Sequence, residues 1–240
     1  MQGTIVNAEK QEFVTWNGES YQRLAIKTNV IQPNDDLRQA VTTYALPHIQ
    51  AEDVLFISEK MVACTEGRAI PLKDIKPRRL ARILSRLVYK NPHGIGLSMP
   101  ETMEMALREC GIIRIMFAAL CSAVGKILGK RGWFYKVAGY RAASIDGPCD
   151  YTLPPYNEYV VLGPKNPEAT AKSLSNALGG IAVMIVDIND LGGQILGAAG
   201  LKLKKEDYLQ ILRDNPLGQT NEQTPMGIIR KAAATANQKL

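Results

Sequence analysis

"IAVMIVDIND", Ile181 to Asp190, is the stretch on which the fold turns: an apolar run that follows two glycines and ends in acids. A run of this length bounded by turn and polar residues predicts a buried β-strand. Immediately before it, "NPEATAKSLSNALGG" (Asn166–Gly180) predicts a helix that stops at Gly179-Gly180 and feeds the strand. Working outward, "DVLFIS" (Asp53–Ser58) predicts a second buried strand and "PMGIIRK" (Pro225–Lys231) a final one, the latter preceded by a helix in "KKEDYLQILRDN" (Lys204–Asn215).

Towards the amino end, "EFVTWNGESYQRLAIKT" (Glu12–Thr28) has strand-forming residues on both sides of Asn17-Gly18, the dipeptide that most readily supplies two positive φ angles, and predicts a β-hairpin. Helices are expected in "NDDLRQAVTTYALPHI" (Asn34–Ile49), in the basic amphipathic "KPRRLARILSRLVYK" (Lys76–Lys90) and in "PETMEMALRECG" (Pro100–Gly111). In the basic helix, Ile75, Leu80, Ile83, Leu84, Leu87 and Val88 are expected to face inward and Arg78, Arg79, Arg82 and Arg86 outward. The elements are mixed but do not alternate as a strict βαβα series, so the fold class is α+β rather than doubly wound. The chain reads as one domain, with a possible internal boundary near residue 145, where a Pro- and Gly-rich stretch separates two patterns.

The chain has 240 residues, 46% apolar content and a net charge of +6. It is long enough for a sizeable core, and its charge favours anionic partners: nucleoside triphosphates, acidic small molecules, RNA or membrane surfaces. Four scattered cysteines without a CxxC pair and two distant histidines argue against a zinc site. The polar, charged "MQGTIVNAEKQEF" is unlike a secretory signal, and with free thiols it predicts a cytoplasmic protein. "CGIIRIMFAALCSAVGKILGKRGWFYK" (Cys110–Lys136) carries about eleven uncharged residues between Arg114 and Lys126, short of the roughly 20 that span a bilayer. No transmembrane segment is expected; a buried or subunit-interface helix followed by a basic surface loop is, with interfacial membrane attachment through Lys126, Lys130, Arg131, Trp133 and Phe134 as the alternative.

Three places suit chemistry. Asp187 stands at the predicted carboxyl end of a strand, where open sheets place ligands, or simply terminates it. Asp146, in "SIDGPCDYTLPPYNEY" (Ser144–Tyr159), precedes Gly147-Pro148, where a sharp turn is expected; a plain turn residue would look the same. "NPLGQTNEQTP" (Asn215–Pro225) is dense in amides and small residues that suit phosphate oxygens or a hydrated cation, as well as an ordinary polar loop. "GKILGKR" has the wrong spacing for a phosphate-binding P-loop, and neither GxSxG nor GxGxxG follows a strand. "HGIGLSMPETM" (His93–Met103) could close over a substrate or form a static loop.

The order "VIQPNDDL", "DVLFISEKMVACTEGR", "SIDGP", "IAVMIVDIND" and "NPLGQTNEQTPMGIIR" resembles the coenzyme F-420 gamma-glutamyl ligase (CofE-like) family from about Ala25 to Arg230, leaving the hairpin as an addition. The resemblance implies two closely packed subdomains, a homodimer and a nucleotide- and metal-dependent ligase that adds L-glutamate to an acidic acceptor. GTP, or ATP, would be the co-substrate and Mg²⁺ or Mn²⁺ the cation. Carried over by position, it implies nucleotide contacts at Thr28, Asn29, Val30, Ile31, Ser58, Glu59, Cys149, Gly218, Gln219, Thr220 and Asn221. It likewise implies metal ligation at Asp146, Asp187 and Gln219, the last standing where the family has a glutamate. Lys60 and Arg68 are the candidate catalytic cations, or else surface groups paired with Glu59 and Glu66.

Departures are equally visible. Cys64 replaces a lysine of the family's "SKAEGR", Cys149 an asparagine of its "GIDASN", and Ile188 a threonine that precedes an Arg-rich segment. They leave open a catalytically altered nucleotide-binding protein on the same scaffold, or a basic RNA- or membrane-associated protein. Nucleic acid is not the expected partner.

Overall fold

The computed structural model of the chain describes residues 3–88, 96–130, 132–189 and 192–232. The chain divides into two compact units: the segments before Gly67 and after Gly163 form the first, and Gly67–Gly163 the second. In chain order the elements are β1 (Thr4–Ile5), β2 (Phe13–Trp16), β3 (Glu19–Ile26), α1 (Leu37–Tyr44), β4 (Val54–Ser58) and α2 (Glu59–Thr65) in the first unit. The second unit contributes β5 (Ala69–Pro71), α3 (Arg79–Leu87), α4 (Pro100–Cys110), α5 (Ile112–Ile127), α6 (Trp133–Ala138), α7 (Tyr140–Ala143) and β6 (Tyr159–Val161). The first resumes with α8 (Pro167–Ala177), β7 (Ala182–Asn189), β8 (Gly192–Ala199), α9 (Lys205–Ile211) and β9 (Met226–Lys231). The class is α+β, with a mixed sheet.

In the first unit the sheet runs β1-β3-β9-β4-β7-β8, and β2 shares with β1 one edge of β3. Among the described residues only β4 and β7 pair in parallel in this sheet. Asn17 and Gly18 adopt φ of 50° and 78°, the pair of positive values a tight hairpin turn demands. The hairpin is no appendage: β3 lies inside the sheet, paired with β9 from Tyr21↔Lys231 to Ile26↔Met226. Alternate residues of the central strands serve the two faces. Phe56, Met184, Val186 and Ile229 pack with Tyr208 and Ile211 of α9, while Leu55, Ile57, Val183, Ile185 and Ile228 are buried on the other face.

Helix α8 covers that second face at a point fixed by Gly197, which pairs with Ile185. A Cβ there would lie 2.2 Å from the carbonyl carbon of Pro167 and 2.4 Å from the nitrogen of Glu168. Backbone cannot yield as a flexible side chain does, so Gly197→Ala is expected to cost about 2–3 kcal/mol. Thermal denaturation followed by circular dichroism checks this; an unchanged midpoint would contradict the close approach. Strand β8 escapes the sequence reading because "GGQILGAA" has the low β propensity of a Gly-rich segment.

The second unit packs α3 to α7 around Leu97, Met103, Leu107, Ile115, Ile145 and Val160, and β5 and β6 pair antiparallel. Glu104, only 1% exposed, accepts from the Arg78 backbone nitrogen and Nε, both at 3.0 Å, and from Arg108 Nε at 2.9 Å. Burial pushes its carboxyl pKa up, but the hydrogen bonds from Arg78 and Arg108 outweigh burial and hold it below the usual glutamate value.

Several expectations change. Residue 145 lies inside the second unit, whose limits are Gly67 and Gly163. Of the residues expected to face inward around α3, Ile75 and Leu84 are buried and Leu80 and Val88 pack against the same core, joined by Ala81 and Ser85, whereas Ile83 and Leu87 are exposed; Tyr89 and Lys90 lie outside the described residues. Helix α5 is not buried: along it Ile115, Ala118 and Gly125 face inward and a row of large apolar side chains faces out. The expected basic loop after it contains α6. Trp133 lies against Gly125, where an added Cβ would meet its ring at 3.0 Å, and Phe134 packs on the core; Arg131 lies outside the described residues. Leu97 and Met103 are fully buried, so the described part of "HGIGLSMPETM" is anchored, and His93 to Ile95 lie outside the description.

Candidate active site

Strand pairing in the first unit gathers four separate stretches of sequence at one end of the sheet. Ser58 ends β4 and pairs with Val186 of β7, so Asp187 is the next residue beyond the parallel register. Strand β9 begins beside it, with Ile57↔Met226 on one side and Ile26↔Met226 on the other. Two backbone bonds extend these ladders into the loops: Ser58 N donates to Pro225 O at 2.8 Å, and Thr28 N to Gln223 O at 3.0 Å. Thr28 to Ile31, Ser58 to Lys60, Asp187 and the 215–225 loop therefore border one region.

Each member is held locally. Ser58 caps α2, its Oγ accepting from Lys60 N at 3.3 Å. Glu59 is buried and Lys60 is exposed on the first turn of that helix. Thr28 is buried, and its Oγ1 donates to Asn29 O at 2.7 Å. Asp187 is half-buried and pairs with Gln194, because β7 does not end at the carboxylate but continues to Asn189 in a hairpin with β8. The predicted strand end is therefore the end of β4; Asp190 lies outside the described residues.

The 215–225 loop is built around Asn215, which has a φ of 50°. Its Nδ2 donates to Gly218 O at 2.7 Å and to Gln219 Oε1 at 3.1 Å. Its Oδ1 is buried without a hydrogen-bond partner among the described residues. Gly218 has a φ of 81°, and a Cβ on it would meet the Glu222 carboxyl carbon at 2.4 Å. Glu222 accepts from Thr220 N at 2.8 Å and from Thr220 Oγ1 at 3.1 Å. From the far end of the chain, Asn7 Nδ2 donates to Pro216 O and to Thr224 Oγ1, both at 2.9 Å.

Glu222 and Asn7 are the residues the sequence reading overlooks. Glu222 was legible as the one acid in the loop, three residues after Gln219. Asn7 carries no local signal, since its partners lie 209 and 217 residues away.

Asp146, Cys149 and Arg68 belong to the second unit. Asp146 does not precede a sharp turn. Its backbone is extended and exchanges two hydrogen bonds with Val161, at 2.9 and 3.0 Å. The chain turns later, where Thr152 N donates to Cys149 O at 3.0 Å. Arg68 is engaged structurally: Nε donates to Gly163 O at 2.6 Å and Nη2 to Glu109 Oε2 at 2.7 Å. Its acidic partner is thus Glu109, while Glu66 Oε2 accepts from Lys165 N at 2.8 Å.

Among the described residues no three His, Cys, Asp or Glu side chains gather as a metal-binding group. Isolated carboxylates and amide oxygens nevertheless suit Mg²⁺, which is commonly held by one or two carboxylates with substrate phosphates and water.

The profile of the F420-0:gamma-glutamyl ligase family matches residues 25–202, well over half of the chain. The chain belongs to this family. It is also 24% identical over 232 residues to the coenzyme F420:L-glutamate ligase of Methanopyrus kandleri, covering 83% of this chain and 82% of that protein. At Cys64, where the resemblance implied a lysine, the structural role is plain. Cys64 is buried, its Sγ donates to Ile31 O at 3.5 Å, and its carbonyl accepts from Asn34 N at 3.3 Å. The position thus braces the loop after Thr28 and projects no cation.

Proposed function

We propose that the protein is a nucleotide- and metal-dependent amide ligase that joins L-glutamate to an acidic small-molecule acceptor through an acyl phosphate. The observation that carries this function is the gathering of Thr28–Ile31, Ser58–Lys60, Asp187 and the 215–225 loop at one end of the sheet of a gamma-glutamyl ligase family member. Loop amides, hydroxyls and the exposed ammonium of Lys60 offer the donors a triphosphate requires. We assign Asp187 as a carboxylate ligand of a divalent cation, with the neutral Gln219 as a weaker oxygen donor and Glu222 as the acid that keeps the loop charged; Asp146, in the second unit, is assigned separately as a candidate ligand. When bound, the cation offsets negative charge on the transferring phosphoryl group.

In this reaction an oxygen of the acceptor carboxylate attacks the terminal phosphorus and the nucleoside diphosphate leaves. The glutamate amine then attacks the acyl carbon, orthophosphate departs, and the amine proton passes to solvent or a nearby base. Lys60 is the candidate cation that stabilises the phosphoryl group, whereas Arg68 positions Gly163 and Glu109. GTP and ATP are both admitted as co-substrate.

The test is to incubate the protein with GTP or ATP, Mn²⁺, L-glutamate and a panel of acidic acceptors, and to follow orthophosphate. Release that requires both acceptor and glutamate, with a product heavier by one glutamyl residue, is expected. Nucleotide binding without release under any acceptor would favour a catalytically altered binding protein on the same scaffold, and neither binding nor release would overturn the assignment.

A further inference from the structure

The outward face of α5 carries an apolar stripe that nothing among the described residues covers. Ile113, Met116, Phe117, Leu120, Val124 and Ile127 recur at three- and four-residue spacing, which places them in one row along a helix about 24 Å long. Ile113 and Ile127 are 87% and 85% exposed, and Phe117 and Leu120 58% and 62%. Scattered exposed apolar residues need no explanation, but a continuous row of this length marks a docking surface.

The charge around the stripe decides its partner. From Cys110 to Ile145 the sequence contains no Asp or Glu. Exposed Lys126, Lys130 and Lys136 lie at and beyond the carboxyl end of α5. A two-fold contact centred near the carboxyl end of α5 would bring this positive charge against itself. A negatively charged surface would instead meet both features at once.

The helix cannot serve as a span. No single helix among the described residues is long and apolar enough to cross a membrane, and α4 and α5 are bent by 117° at their junction. Helix α4 is fixed in the protein core by Glu104 and its two arginines. We infer that α5 is an in-plane membrane-docking helix, which inserts its outer apolar row at the boundary of an anionic lipid bilayer while Lys126, Lys130 and Lys136 meet lipid phosphates. This geometry is that of interfacial helices, whose affinity adds buried apolar area to attraction for acidic headgroups.

Co-sedimentation of the full chain with vesicles tests it, using phosphatidylcholine alone and phosphatidylcholine mixed with phosphatidylglycerol. The wild type is expected to bind the anionic vesicles about tenfold more strongly than the neutral ones and to lose that difference as salt screens the lysines. Ile113→Ser with Ile127→Ser, which removes side chains almost wholly in water and so spares the core, is expected to lower binding by about tenfold. Lys126→Gln with Lys130→Gln should erase the preference for anionic lipid while leaving the circular dichroism spectrum unchanged. Equal binding by wild type and both variants would overturn the inference. So would a lipid-independent dimer seen by light scattering that the Ile113/Ile127 variant returns to monomer, because the row would then be a contact between copies. Ligase turnover in solution plays no part in either readout, so the inference stands or falls apart from the proposed reaction.

Discussion

Replacing Asp187 by Asn is expected to lower acceptor-dependent phosphate release about a hundredfold or more, the scale on which loss of one preorganised electrostatic group acts. The substitution keeps the size of the side chain and removes its charge. The half-buried carboxylate lies one residue past the parallel pairing of Ser58 with Val186, and its hairpin partner Gln194 is held through the backbone, so the strand pairing that positions it survives the substitution. Loss of turnover at constant stability is the signature of a cation ligand. Turnover within about twofold of the wild type would remove Asp187 from the chemistry. Asp146→Asn applies the same test to the other assigned carboxylate. There the backbone exchange with Val161 preserves the local fold, and a fall in Mg²⁺-dependent nucleotide binding is the expected result.

The largest stability effect is expected at Glu104. Glu104→Ala removes a carboxylate that is 1% exposed and leaves Arg78 and Arg108 without their shared acceptor. A broken pair of this kind costs about 3 kcal/mol, towards the lower end of the range because the arginine side chains are nearly half exposed. The dependence on pH has a definite sign. A folded-state pKa held below the ordinary glutamate value of 4.5 means that the unfolded chain takes up the proton first. The contribution is therefore complete above that value and disappears as pH falls through the lower, folded-state value. Urea denaturation at neutral pH should separate the variant from the wild type, and the gap should narrow in acid. A gap that stays constant with pH would show that packing, not ionisation, is what Glu104 supplies.

Much of the fold was legible because its elements carry strong local signals. The Asn17-Gly18 turn, the Asp36 cap of α1, Pro100 at the start of α4 and the apolar runs of β4 and β7 each declare themselves within a few residues. What stayed hidden depends on partners distant in sequence. Strand β8 carries Gly197 where α8 presses on it, so the residue that makes the packing possible also helps to hide the strand. Asp187 reads as a strand end, but β8 extends β7 past it. Helix α5 reads as buried because its mean composition is apolar all round, and only the three-dimensional packing of Ile115 and Ala118 shows which side faces the core. At the site, residue types suggested phosphate chemistry, while the bonds of Thr28 to Gln223 and Ser58 to Pro225, which bring the loops together, run between backbone atoms and leave no trace in side-chain identity.

The doorway through which the chain leaves the first unit and returns to it is narrow. Arg68 O accepts from Leu162 N at 3.0 Å just inside Gly67 and Gly163, and Glu66 and Lys165 are joined just outside them. A ribosome therefore delivers the whole inserted segment before β7 or β9 exists, and β4, whose two neighbours are those strands, must wait unpaired for roughly a hundred residues or more, on the order of ten seconds at typical elongation rates. Its apolar run Val54–Ile57 is exposed for that interval, so shielding of nascent "VLFIS" is a requirement of this topology during synthesis.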